Sequence, residues 1–67
     1  MKISGRNKLP GTVKHIERQG LLAQVSLDVG GNEVVAVVTS DAVDELGIKE
    51  GDQATALVKA TSVMLLK

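Results

Sequence analysis

The 67-residue chain has no cysteine and no phenylalanine, tyrosine or tryptophan; it has one proline, one histidine and no net charge, with Lys plus Arg 8 and Asp plus Glu 8. Each shortage excludes something. Without cysteine there is no disulfide and no thiolate metal site. The lone His15 cannot build a zinc site without carboxylate help, so no direct ligand set for a metal cation is expected. Nucleic-acid modules carry a basic excess, and single-strand binders add aromatic stacking platforms. Both halves of that signature are missing here. The lack of aromatics also argues against sugar-stacking and methyl-lysine cages. The longest unbroken apolar run, residues 34–38, is far short of the ~20 residues of a membrane span. Residues 1–8 turn polar at once, unlike a signal peptide, so a cytoplasmic location is expected.

Length sets a further bound. A chain this short hides only roughly 60% of the surface its unfolded form exposes. Small domains compensate with disulfides, a metal or self-association. With the first two gone, residues 1–67 are expected to form one domain that assembles with copies of itself.

What is present reads mostly as strand. Over residues 21–29 the chain alternates: Leu21, Ala23, Val25, Leu27 and Val29 share one face, and Gln24, Ser26 and Asp28 the other. Gly30-Gly31-Asn32 then suits a tight hairpin, and residues 33–39 return as an almost continuously β-branched strand. Upstream, residues 11–18 make a first strand ending at a Gln19-Gly20 turn. Val13 and Ile16 break its alternation, which predicts a bulge; Pro10 suits a strand start or edge. Residues 40–47 change period and predict a short helix, N-capped by Thr39, Ser40 or Asp41 and closed by Gly47. After a turn at residues 49–52, residues 53–59 read as a fourth strand and residues 62–66 as a fifth. The expected fold is all-β: a small five-stranded OB-like barrel with one short helix between strands 3 and 4. Residues 34–38 and 63–66 are apolar on both faces, yet a small barrel buries only its inner face. The outer face is then buried either within the monomer or against another copy of the chain, and the second is the expectation.

Catalytic apparatus is not visible, and no catalytic residue is assigned. His15 lies in a strand with no serine–acid pattern around it. Asp41, Asp44 and Glu45 read as charges on a solvated helix face. Gly30-Gly31 lacks the Gly, Lys and Ser/Thr of a phosphate loop. Oxyanion binding has a better inventory. Ser4 and Arg6, two apart in extended chain, point to one side. Thr39 and Ser40 sit at a strand-to-helix junction, and Lys59 is followed by the amides and hydroxyls of Ala60, Thr61 and Ser62. A buried dianion needs such a mixture of fixed donors and cations.

Three stretches carry a resemblance. Ser4-Gly5-Arg6-Asn7-Lys8-Leu9-Pro10-Gly11 resembles the Ser-Ala-Arg-Asn-Gln-Leu-x-Gly opening of the molbindin (Mop) family, small molybdate- and tungstate-binding proteins with a TOBE/OB-like domain. Residues 55–64 resemble that family's Thr-Ala-x-x-Lys-Ala/Ser-Thr-x-Val-Met ending, and residues 41–51 are similar to its helix and turn. The resemblance implies a homohexamer built as a trimer of dimers. Molybdate or tungstate is then held between subunits, with no organic cofactor and no reaction. By position it makes Ser4, Arg6, Lys59 and the Ala60 amide ligands from one subunit, and Thr39 a ligand from its neighbour. Ala42 stands where the family often has a second serine hydroxyl; Ser40 and Gly5 are further candidates. The implied role is reversible storage and homeostasis of the oxyanion, without nucleic-acid or membrane partners. The turn at Leu46-Gly47-Ile48-Lys49-Glu50-Gly51-Asp52 suggests an alternative, a swapped-hairpin DNA-binding transition-state regulator. Zero net charge counts against it.

Overall fold

Alternating apolar and polar side chains put most of the chain into extended backbone, and glycines set where it turns. In the computed structural model, which describes residues 7–67, the elements run β1 (Asn7–Gln19), β2 (Leu22–Val29), β3 (Asn32–Thr39), α1 (Ser40–Leu46) and β4 (Gln53–Val58), followed by one 3-10 turn, Ala60–Ser62. The β2–β3 connection is a two-residue hairpin in which Gly30 and Gly31 have φ of 57° and 89°. Positive φ at both positions is what a two-residue turn matching the strand twist requires. The Asp28 carboxylate steadies it by accepting from the Gly31 N–H at 3.0 Å. Asn32, expected within the turn, already pairs with Val29.

Among the described residues the four strands form one antiparallel sheet in the order β3-β2-β1-β4. β1 is shared. Residues from Thr12 onward pair with β2, and Asn7 to Thr12 pair with β4. The expected bulge is present as a register shift between Val13 and His15. Pro10 falls inside β1 rather than before it. It pairs with Thr55 of β4, in the stretch that β2 has not yet reached, so its missing N–H breaks no second ladder.

The inner face follows the alternation. Ala23, Val25 and Leu27 of β2 are buried with Val13 of β1 and Val43 of α1. Leu21 departs from the pattern. It occupies the β1–β2 turn and is 86% exposed. α1 has seven residues, too few to persist alone. It is held by Val43 in the core, by Thr39 as N-cap, and by Gly47 at its end with φ 65°. On β3, Val34, Ala36 and Val38 turn toward the core, while Val35 and Val37 stay exposed, so no element among the described residues covers their face.

The five-stranded barrel is not what forms. The sheet has four strands and is not closed. Its edge strands, β3 and β4, flank an apolar groove of ≈ 370 Å³ lined by residues such as Leu27, Val38, Ile48, Ala54 and Ala56. The fifth strand, expected over residues 62–66, is replaced by the 3-10 turn and irregular chain. Met64, Leu65 and Leu66 are more than 90% exposed. A strand needs a partner for its N–H and C=O groups, and this segment meets none among the described residues.

Gly11 pairs with Ala54 of β4 and lies close against the end of β2. A Cβ there would lie 2.5 Å from the Asp28 carbonyl oxygen and 2.8 Å from Val29 Cγ2. Backbone at that distance has to move, so Gly11→Ala is expected to destabilise by about 1–3 kcal/mol, read as a lower urea midpoint. An unchanged midpoint would show that the two strands separate there without cost.

Candidate functional site

The oxyanion donors named from the sequence fall at two places in the fold. Thr39 and Ser40 meet at the β3–α1 junction. Thr39 Oγ1 accepts from the Ala42 N–H at 3.0 Å, which caps the helix. A hydroxyl that accepts in this way keeps its own proton to donate elsewhere. Thr39 is exposed, and its hydroxyl donates no hydrogen bond among the described residues.

Ser40 is used differently. Its hydroxyl donates to the Gly20 carbonyl at 2.9 Å and lies 3.3 Å from that of Leu22, while its N–H donates to the Leu21 carbonyl at 2.8 Å. Ser40 therefore ties the β3–α1 junction to the β1–β2 turn. A serine has one O–H; once that is engaged, only lone pairs remain, and these repel an anion. The geometry makes Ser40 a staple of the fold.

Lys59 and Ala60 lie together at the other end of the sheet. Lys59 follows β4 in extended backbone, is exposed, and makes no ion pair among the described residues. The Ala60 N–H precedes the bonds of the 3-10 turn, where Ser62 donates to Lys59 and Val63 to Ala60. Like the first amides of any helical turn, it has no partner within the turn. Asn7, the first described residue, pairs with Val58, and its Nδ2 donates to the Val58 carbonyl at 3.2 Å. It pins the end of β4 one residue before Lys59. Ser4, Gly5 and Arg6 lie outside the described residues.

Register separates the two groups. Gln19, at the end of β1, pairs with Leu22, and Leu22 with Thr39. Asn7, at the start of β1, pairs with Val58 beside Lys59. β1 is 13 residues long, about 40 Å of contour at ~3.3 Å per residue. Even with the bend at the bulge, one chain cannot bring its own Thr39 and Lys59 to a small ion. The molecule measures 33 Å along its longest axis.

The other titratable groups offer no competing site. His15 Nδ1 lies 3.2 Å from Glu50 Oε2 and Nε2 lies 3.9 Å from Glu17 Oε1, all well exposed. Among the described residues no cluster of three His, Cys, Asp or Glu side chains could hold a metal ion, and no helix is long and apolar enough to cross a membrane. Two residues at the junctions escape sequence reasoning. Asn7 belongs to the opening motif, which was a signal for it. Arg18 carried no signal. Its Nη2 donates to Asp44 Oδ1 at 2.8 Å and its Nη1 to the Ser40 carbonyl at 3.4 Å.

Comparison with known proteins adds to this geometry. A model of the TOBE domain matches residues 3–65. Molybdenum-pterin-binding protein 2 of Clostridium pasteurianum is 45% identical over 67 residues, with 98% of each chain covered. The solved structure of a molybdate-binding protein from Sporomusa ovata is 51% identical and superposes with a TM-score of 0.94 over the whole of both chains. The cytoplasmic molybdate-binding protein ModG, solved with molybdate bound, is 46% identical over 96% of this chain and 46% of its own, with a TM-score of 0.89.

The two hydroxyls at the junction are expected to behave differently from each other. Thr39→Ala removes the helix cap and should cost about 1 kcal/mol in denaturant unfolding, whereas Thr39→Ser keeps an acceptor for Ala42 and should cost little. Ser40→Ala should cost about 0.5–1.5 kcal/mol. Equal stability of Ser40→Ala and the parent would remove the staple assigned to Ser40.

Proposed function

The chain belongs to the TOBE-domain family, with molybdenum-pterin-binding (Mop) proteins as full-length relatives, and on that premise we propose that it binds molybdate reversibly between its subunits. The role is buffering and storage of the oxyanion in the cytoplasm, by binding and without catalysis. Molybdate-bound ModG, described as cytoplasmic, supports both ligand and location. The swapped-hairpin DNA-binding alternative finds no support in these relatives.

One observation carries the reading. Lys59 is a cation without an ion-pair partner among the described residues, beside the Ala60 amide, and Thr39 offers its free hydroxyl proton at the far end of the same sheet. These groups converge only if one subunit brings Lys59 and Ala60 and another brings Thr39. Ser4 and Arg6 join the first set, because Arg6 directly precedes Asn7, whose partner Val58 precedes Lys59. Gly5 contributes at most backbone. Two cations then oppose a dianion, with hydroxyl and amide donors orienting its oxygens. The chain has no aromatic side chain on which to stack a pterin ring, which favours the bare tetrahedral oxyanion as ligand. Tungstate has the same charge and shape and is expected to bind as molybdate does.

Self-association has its own support in the fold. Val35 and Val37 expose an apolar face on β3, β3 and β4 leave open edges, and the segment from Val63 to Leu66 exposes a row of apolar side chains. A free edge is a template for another strand. We assign the missing fifth strand to a neighbouring copy: the tail of one subunit lies along the groove between β3 and β4 of another. Dimers of this kind, assembled in threes, give the hexamer.

Calorimetry with molybdate, tungstate and sulfate tests the ligand, with molybdate and tungstate expected to release heat at low concentration and sulfate to bind more weakly. Arg6→Ala and Lys59→Ala should each lose about 1.5–3 kcal/mol, or roughly ten- to hundred-fold in affinity. Ser4→Ala should lose about 0.5–1.5 kcal/mol. Lys8→Ala and Lys14→Ala, at exposed positions, should stay near the parent because their charges are screened. Assembled Arg6→Ala and Lys59→Ala proteins that bind molybdate like the parent would falsify this site. Removing residues 63–67 should shift sedimentation from a multimer toward smaller species; an unchanged multimer would overturn the role given to the tail.

A further inference from the structure

We propose that Arg18 is a positioning residue for the oxyanion site, acting on Thr39 through the β3–α1 junction; this rests on the molybdate reading above. Arg18 stands near the end of β1, opposite Ala23 of β2, and reaches across to α1. One guanidinium nitrogen bonds Asp44 Oδ1 at 2.8 Å and the other the Ser40 carbonyl at 3.4 Å. The two contacts bracket the helix, one on the residue after Thr39 and one near its end. A planar fork that bonds two acceptors fixes orientation as well as distance.

α1 needs an outside hold. It carries Asp41, Asp44 and Glu45, has an acidic residue in its first turn and no basic residue in its last. Carboxylates near a helix C-terminus sit badly in the field of the helix dipole. Among the described residues Arg18 is the one cation bonded to this helix. It neutralises Asp44 and holds the Ser40 carbonyl, while the N–H and hydroxyl of the same residue are tied to the β1–β2 turn. With the residue after Thr39 held at its N–H, its hydroxyl and its carbonyl, the Thr39 hydroxyl keeps one bearing.

A double-mutant cycle between Arg18 and Thr39, read as molybdate affinity by calorimetry on protein shown by sedimentation to be assembled, tests this. Arg18→Ala is expected to weaken binding about three- to tenfold in the parent and to have no further effect in a Thr39→Ala background. Arg18→Lys keeps the charge beside Asp44 but not the fork, and should recover only part of the loss. If Arg18→Ala fails to assemble, Arg18→Lys carries the same cycle, with about a twofold loss in the parent and none in Thr39→Ala. A role confined to stability would leave the affinity of assembled protein unchanged, and that result overturns the inference. So would losses that simply multiply in the double mutant. If Thr39→Ala is weakened and Arg18→Ala is not, the site stands and the role of Arg18 alone falls. If Thr39→Ala itself binds as the parent does, the site reading fails at Thr39 and the inference fails with it.

Discussion

The double pairing of β1 is the constraint from which the rest follows. Its first residues lie against β4 and its later ones against β2, with a register shift between Val13 and His15 where the two ladders overlap. The bulge lets one long strand serve two partners by bending. At that bend the Val13 N–H donates to the Asp52 carbonyl and the Gly51 N–H to the Val13 carbonyl, both at 2.8 Å. The turn that follows α1 is thereby joined to the middle of the sheet. Val13 is also among the most buried side chains. Hydrogen bonding and packing meet at one residue.

The same pairing leaves the chain incomplete. β3 and β4 become the two edges, the groove between them stays open, and nothing among the described residues covers the apolar side chains from Val63 onward. Among the described residues the core holds five buried apolar side chains, and the chain has no aromatics or cross-links to add to them. Incompleteness and the proposed function then share one cause. Because β1 carries the Thr39 end and the Lys59 end apart, the proposed site would close only where two copies meet. A ligand held that way also bridges the subunits and stabilises the assembly by mass action.

Local features of the fold were legible in advance. The alternation over residues 21–29 marked Ala23, Val25 and Leu27 as core, and Thr39 and Gly47 marked the two ends of α1. The Val13–Ile16 irregularity marked the bulge. Each is decided within a few residues by side-chain period or by backbone preference. Leu21 and the tail were misread for a common reason. Apolar pattern reports a tendency to be buried, while burial itself depends on whether another element lies opposite. For Leu21 the turn intervened, and residues 62–66 pair with no strand among the described residues.

Of the proposed site, the sequence by itself determined the inventory of candidate oxyanion donors: the Ser4–Arg6 pair, the hydroxyls at residues 39 and 40, and Lys59 with the amides after it. Chemistry of that kind belongs to residue type and neighbour order. Only the tertiary structure decided how they are used. It left the Thr39 proton free while engaging that of Ser40 with the Gly20 carbonyl, and it brought Arg18 to the helix from a strand distant in sequence. It also set Thr39 and Lys59 at opposite ends of one sheet. These outcomes depend on which strands pair and in what register, through contacts between residues far apart in the chain. No local pattern carries that information.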